Sequence, residues 1–321
     1  MQSNLIKYFK SKKILVAGGS GFIGKNLINK LLTYGANVTA TTYSNDLAIK
    51  DVKCIKVDLR NPRDCNDCCK KIDLVFMCAA NSSGAKIIEE KPLDHLTPNI
   101  LMNLNMLESA YKNNVEKFLF ISSNTVYPMT DHAVQESDVN YEFFEKYHIV
   151  GWMKRFSELA CEMYSKKIKK KMTTIIIRPG NLYGPHDKFD WEKSKVIPAL
   201  IRRVIEKHDP FIVWGDGKDL KDFLYIDDLI DGLLQSMYRT NKYLVMNLAS
   251  GIPITIKEML EKILDIENYN IKVDYDKTKP TMIPKRLINV SYAKKIINWN
   301  PKIDHVEGLR RTINWYKENK I

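Results

Sequence analysis

Lys13-Ile14-Leu15-Val16-Ala17-Gly18-Gly19-Ser20-Gly21-Phe22-Ile23-Gly24 is the stretch on which the fold turns. An apolar run of strand length opens into glycines spaced GxxGxxG, and an amphipathic stretch of helical period follows over 21–34. Glycine makes the tight turn, lets a backbone approach a pyrophosphate, and leaves a helix N-terminus aimed at it. A merely tight turn would not need Gly24, where the helix packs closely on the strand. The arrangement therefore predicts dinucleotide binding, with Gly18, Gly21, Phe22, Ile23 and Gly24 as the contacting stretch.

Outward from this motif, short β-branched runs at 13–17, 37–42, 53–57, 74–78, 117–121 and 173–178 alternate with helical stretches at 21–34, 62–70, 98–113 and 150–167. That alternation is the pattern of βαβ units and a parallel sheet. After Pro179 it loosens into a helix at 196–207, strands at 211–214 and 223–226, and helices at 227–238, 256–266 and 306–317. The expected architecture is α/β: a Rossmann-type parallel sheet with helices on both faces and a smaller C-terminal substrate lobe. Residues 1–180, with a returning segment near 222–250, form the dinucleotide domain, and 181–321 form most of the lobe.

The 321 residues are 45% hydrophobic and 27% charged, which excludes a disordered tail or a fibre. No apolar run reaches the length of a membrane span, and residues 1–13 lack the apolar core of a signal peptide. A soluble cytoplasmic protein with no membrane or nucleic-acid partner is expected. The net charge of +12 suits an anionic partner and equally suits solvated lysines such as those of the 166–171 run. Cys65, Cys68 and Cys69 stand close together, but no second CxxC or histidine pair completes four ligands, so no metal is expected. Cys54 and Cys78 read as small buried hydrophobes of a reduced protein.

Further cofactor positions follow from the strand ends. Asp58, with Leu59 beside it, stands after the third strand to meet an adenine, and Ala79 and Ala80 after the fourth leave room for the cofactor backbone. The second strand ends Thr41-Thr42-Tyr43-Ser44, without the carboxylate that grips ribose hydroxyls in NAD enzymes. That leans towards NADP over NAD, although no arginine stands there to hold a 2′-phosphate.

Five segments carry a resemblance: the glycine motif; Pro98-Asn99-Ile100-Leu101-Met102-Asn103; Ser122-Ser123-Asn124-Thr125-Val126-Tyr127-Pro128; Arg178-Pro179-Gly180-Asn181-Leu182-Tyr183-Gly184-Pro185-His186-Asp187; and Val196-Ile197-Pro198-Ala199-Leu200 with Trp214-Gly215. Together they resemble the extended short-chain dehydrogenase/reductases that modify nucleotide sugars, in the branch of GDP-L-fucose synthase and GDP-mannose 3,5-epimerase. The resemblance implies cofactor contacts at Asn99, Lys154 and Pro179, and a homodimer paired through the helices at 98–113 and 150–167. It implies that Ser123 hydrogen-bonds the reacting sugar oxygen and that Lys154 holds the ribose. The catalytic tyrosine of such enzymes lies four residues before that lysine, where this chain has Val150.

A valine can neither take nor give a proton, so another group must act or turnover is lost. Tyr147, seven residues before Lys154, lies about one turn or 5 Å further along the axis if the helix extends that far; it is either the substitute or a core-edge aromatic. Lys195 occupies the position of the fucose synthase's catalytic histidine and the mannose epimerase's catalytic lysine; it is either an acid/base or one more solvated lysine. Thr125 stands where both relatives have a working cysteine and donates a hydrogen bond, but is a poor base. Asn181, Arg203, Trp214, Lys221 and Arg286 fall near positions that meet the nucleotide and its diphosphate. The implied function is an NAD(P)-dependent epimerase or oxidoreductase of a GDP-sugar. The alternatives are a dehydratase and a cofactor-binding protein with reduced or lost catalysis.

Overall fold

The computed structural model describes residues 2–82, 90–279 and 281–319. Its main sheet contains β1 (Lys13–Ala17), β2 (Asn37–Thr42), β3 (Lys53–Lys56), β4 (Leu74–Met77), β5 (Lys117–Ile121), β6 (Thr173–Pro179) and β10 (Leu244–Leu248). The order across it is β3-β2-β1-β4-β5-β6-β10, every pair parallel. Both faces are covered, which is why β4 and β5 are buried at every position. Ile14, Val16, Leu119 and Ile121 point into one core layer with Leu27, Leu31, Leu229 and Leu233. Leu15, Ala17, Phe118 and Phe120 point into the other, with Cys65, Met106 and Cys161. The first layer is closed by α1 (Gln2–Lys10), α2 (Phe22–Thr33) and α7 (Ile226–Arg239), and the second by α3 (Pro62–Cys69), α4 (Leu93–Lys112) and α5 (His148–Lys166).

The remaining chain builds a three-stranded sheet from β7 (Asn181–Tyr183), β9 (Leu220–Tyr225) and β11 (Pro253–Thr255), and a pair from β8 (Phe211–Trp214) and β12 (Val273–Asp276). Around them lie α6 (Val196–Ile205), α8 (Ile256–Ile266), α9 (Ser291–Ile297) and α10 (His305–Glu318). Within the 222–250 segment, β9 stays in the small sheet, while α7 and β10 return to the large one and Leu244 pairs with Ile175.

Several boundaries differ from the sequence reading for identifiable reasons. Helix α4 begins at Leu93, not at 98, and Pro98 lies inside it. A proline there cannot donate to the carbonyl of Asp94. The Asn81 side chain donates to that carbonyl instead, at 2.9 Å. Helix α5 begins at His148, not at 150, and is preceded by a 3₁₀ turn at Glu145–Tyr147. Cys54 is exposed, not buried, because β3 is the edge strand and most of its side chains lack cover. The short elements α1, β7, α9, β11 and β12 lie outside the elements expected from the sequence. No helix among the described residues is long and apolar enough to cross a membrane.

A charged network fastens the sheet to α5. Glu158, fully buried, accepts hydrogen bonds from Arg178 Nε at 2.8 Å and Nη2 at 2.7 Å, from Ser122 at 2.5 Å and from Arg155 at 3.1 Å. Arg178 also donates to the Tyr127 hydroxyl at 3.0 Å, and that hydroxyl donates to Asn247 at 2.6 Å. Removing one partner of a buried ion pair strands the other's charge. Glu158→Gln should therefore lower the unfolding free energy by about 3–5 kcal/mol, read from urea melts. The Glu158→Gln/Arg178→Met double variant should recover part of that loss.

Candidate active site

The three glycines of the motif are required for different reasons. Gly18 has φ +80°, and a Cβ on it would stand 2.6 Å from the Ala79 backbone. Gly24 lies so close to the Gly18 carbonyl that no side chain fits. A Cβ on Gly21 would meet only the Gly18 oxygen, at 3.3 Å, so its freedom serves space outside the protein's own packing. Gly21 also starts α2 without a side-chain cap, leaving the first N–H groups of the helix, at Phe22 and Ile23, available to an anion. Thr41 fixes the loop by accepting hydrogen bonds from Gly18 N at 3.0 Å and Gly19 N at 2.8 Å. This cradle fits a dinucleotide pyrophosphate.

Ala79 and Ala80 lead into Asn81, which is braced by α4. Asn99 accepts from Asn81 N at 2.8 Å and donates to Asn81 O at 3.0 Å. Asn99 thus acts on the loop beside the cofactor space. At the other end, the Asp58 carboxylate is taken up by Arg60 through Nε at 2.9 Å and Nη2 at 2.6 Å, which holds its pKa below the usual carboxylate value. Leu59 is buried, and its carbonyl accepts from Cys65 and Asn105.

On the reacting side, Ser123 caps a 3₁₀ turn at Asn124–Val126 and accepts hydrogen bonds from Thr125 N at 3.2 Å and from the Thr125 hydroxyl at 3.0 Å. Asn124 ties this turn to the carbonyl of Pro179 at 3.0 Å. The turn meets the first turn of α5 because Gly151 has no side chain: a Cβ there would stand 2.9 Å from the Thr125 carbonyl and 2.8 Å from the Phe143 ring. Val150 therefore lies on the helical turn packed against the Ser123 loop. Lys154, one turn further, donates to the carbonyl of Ile121 at 2.8 Å. Burial of its amino group lowers its pKa to about 8, against the opposing effects of Glu158 and Cys78. Tyr147 ends the 3₁₀ turn just ahead of α5. Burial pushes its phenol up to about 12, and the charges acting on it are those of Asp219 and Arg286.

Those charges mark a second group of residues. Lys221 is buried and 3.1 Å from Asp219, and Arg286 donates to the carbonyls of Pro128 at 2.8 Å and Tyr127 at 3.1 Å. Arg286 keeps a buried Nε without a partner, and burial lowers the pKa of both cations. Lys221 is thus already paired with a carboxylate, and the unmet donor of this group is Arg286 Nε. Arg203 donates to the carbonyl of Ile212 in β8, the strand that ends at the half-exposed Trp214. Asn181 opens β7 beside Phe223 of β9. Lys195 is exposed at the start of α6. Nearby stands Asp187, buried with Oδ2 unpartnered and its pKa raised by burial against the opposing charge of Lys195.

Sequence reading passed over Arg60, Asn81 and Asp187. Only Arg60 had a local signal, its position two residues after Asp58. Cys65, Cys68 and Cys69 are buried free thiols, and no cluster able to hold a metal occurs among the described residues.

Residues 14–249 match the NAD dependent epimerase/dehydratase family, and the chain belongs to it. It is an enzyme of the short-chain dehydrogenase/reductase type. It is 31% identical to the putative GDP-L-fucose synthase 2 of Arabidopsis thaliana, over 100% of this chain and 96% of that one. It is 28% identical to GDP-mannose 3,5-epimerase 1 of Oryza sativa subsp. indica, over 97% and 84%. Among solved structures, the UDP-N-acetylglucosamine 4-epimerase of Methanobrevibacter ruminantium M1, in complex with UDP-N-acetylmuramic acid, superposes with a TM-score of 0.85 at 26% identity, over 96% of this chain and 98% of that one.

Gly21→Leu should abolish NAD(P)H binding in calorimetry while leaving the melting curve near that of wild type, since the added side chain meets little of the protein itself.

Lys154→Met should weaken dinucleotide binding roughly tenfold, about 1.4 kcal/mol. It should also change the pH dependence of stability. With a native pKa of about 8 against an ordinary 10.5, the folded state binds fewer protons than the unfolded chain between those values. Wild-type stability should therefore rise relative to the variant from pH 8 to 10.5, by at most about 1.4 kcal/mol per unit, and the difference should be flat below pH 7.

Proposed function

We propose that the protein binds a nicotinamide dinucleotide, with NADP preferred, and acts on a GDP-sugar that already carries a ketone, epimerising beside the carbonyl or reducing it. The observation that carries this reading is the pairing of Lys154, anchored at the end of β5, with a Ser123 turn that α5 packs against through Gly151, the residue after Val150. The cofactor-side groups are in place, and the usual proton carrier is replaced by a hydrocarbon. Likeness to GDP-L-fucose synthase and GDP-mannose 3,5-epimerase supports the choice of a GDP-sugar, as does the buried pair Lys221 and Arg286, suited to a diphosphate. The exposed stripe Trp152, Phe156 and Met163 on α5, with Leu101 on α4, supports a homodimer through these helices. We place the protein in the cytoplasm.

The bound cofactor supplies or takes up hydride. A hydroxyl substrate would have to lose a proton as hydride leaves, and Val150 offers no base within roughly 2.6–3.2 Å. A C–H beside a ketone is acidic enough for a modest base. Lys195, at the head of α6, serves as that base, while Ser123, whose oxygen accepts from the Thr125 hydroxyl, donates its own hydrogen bond to the ketone oxygen as charge develops there. Asn181, Arg203, Trp214, Lys221 and Arg286 hold the nucleotide and diphosphate. Val150 itself favours one other reading, a cofactor-binding protein with reduced turnover.

Incubation with a GDP-linked 4-keto sugar in D₂O should put deuterium into the sugar, and Lys195→Met should suppress that incorporation about a hundredfold or more. Val150→Tyr should raise cofactor-linked reduction of the same sugar. Redox turnover of a hydroxyl sugar that is fast and indifferent to both substitutions would overturn the assignment.

A further inference from the structure

The chain that leaves β7 at Tyr183 crosses the junction between the two sheets before it enters α6. On the lobe side, residues 184–189 are held by α10 and α6. His186 meets the Trp315 ring edge-on at 4.9 Å, Phe189 stacks on Tyr316 at 4.4 Å, and Arg202 donates to the carbonyl of Phe189 at 2.8 Å. On the cofactor side the same strap is held twice. The Asn26 side chain donates to the carbonyl of Pro185 at 2.9 Å, and Lys188 Nζ donates to the carbonyl of Ser82 at 2.8 Å.

Both anchors belong to the walls of the dinucleotide cradle. Asn26 lies one turn into α2, and its amide also donates at 2.9 Å to the carbonyl of Phe22, the residue whose N–H is left for an anion. Ser82 follows Asn81, which Asn99 grips, in the loop after β4. The two walls meet where a Cβ on Gly18 would stand 2.6 Å from the Ala79 backbone. A dinucleotide in the cradle therefore lies against both walls, and the strap touches both. His186 has φ +68°, a conformation that a histidine keeps only where its surroundings impose it. The strap carries Asp187, buried with Oδ2 unpartnered, and the chain runs on to Lys195 at the head of α6.

Lys188 commits its ammonium to a neutral carbonyl, with no carboxylate in ion-pair range among the described residues. The bond can therefore open without stranding an opposite charge. One such bond contributes little net stability. Two together are comparable with the coupling, roughly five- to a hundredfold in affinity, by which one binding site acts on another.

Resting on the dinucleotide reading above, we propose that Asn26 and Lys188 are positioning residues: they hold the 184–189 strap to the cofactor cradle, so that dinucleotide binding orders the sugar-nucleotide side around Asp187 and Lys195 and the two ligands bind cooperatively.

The test uses the full chain, with whichever of NAD⁺ and NADP⁺ binds tighter, and GDP-mannose as the sugar-nucleotide probe. In wild type, saturating dinucleotide should slow backbone hydrogen exchange about tenfold or more at 184–189 as well as at 18–25. In the Asn26→Ala/Lys188→Met double variant the slowing should remain at 18–25 and vanish at 184–189. Lys188→Arg, which can donate to the same carbonyl, should keep it. In calorimetry, dinucleotide should tighten GDP-mannose binding at least about fivefold, and GDP-mannose should tighten dinucleotide binding by the same factor. The double variant should bring that factor below about twofold while each ligand alone binds as to wild type. Thermal melts of each variant check the fold. Unslowed exchange at 184–189 in wild type with dinucleotide bound, or full slowing and full coupling in a folded double variant, would overturn the proposal while leaving the dinucleotide reading intact. Failure of wild type to bind either dinucleotide would overturn both. Failure to bind GDP-mannose would overturn the GDP-sugar reading alone, since the exchange data still decide the role of the strap.

Discussion

Glu158 is a carboxylate with no access to water, and its charge is tolerable only because every lone-pair direction facing a neighbour is met. Its partners come from three elements: Ser122 at the end of β5, Arg155 on its own helix α5, and Arg178 near the end of β6. Meeting all of them fixes how far α5 stands from the two strands. Ser123 is the next residue after Ser122, and Lys154 is one helical turn before Glu158, so Ser123 and Lys154 inherit their separation from this network. Arg178 extends it through Tyr127 to Asn247, which donates to the carbonyls of Val134 and Asn289. The same set of bonds therefore joins the large sheet to segments of the substrate lobe.

Within this frame the two halves of the site are unequally equipped. The cofactor half is dense with constraints: a positive φ at Gly18, a blocked Cβ at Gly24, and a loop at Asn81 gripped by both Asn99 and the position that Pro98 leaves vacant. The proton-transfer half is sparse. Val150 carries no titratable group, and Tyr147 lies near the charges of Asp219 and Arg286. Lys221 is buried against Asp219, and Arg286 is buried with Nε unmet. Asp187 is a buried acid with one oxygen unpartnered, close to the charge of Lys195. Groups left unsatisfied in the free protein are groups available to a ligand.

How much was legible depends on the reach of each interaction. The glycine motif and the alternation of strands and helices could be read from order alone, because a turn, a helix face and a strand are set by neighbours within a few residues. The start of α4 could not be read, since Pro98 argues for a helix boundary and only Asn81, seventeen residues away, removes the penalty. The surface position of Cys54 could not be read either, because an edge strand and an interior strand look alike until the order of the sheet is known.

The sequence by itself determined a dinucleotide-binding α/β fold, since the glycine motif and the alternation of strands and helices depend on residue type at fixed local spacing. Tertiary structure decided that Tyr147 ends a 3₁₀ turn ahead of α5 and is not part of that helix. It also decided that Arg60 lies over Tyr43. Parallel pairing of β2 with β3 brings together two residues seventeen apart in the chain, just beyond the strand ends, and no pattern along the chain encodes which strand ends will meet.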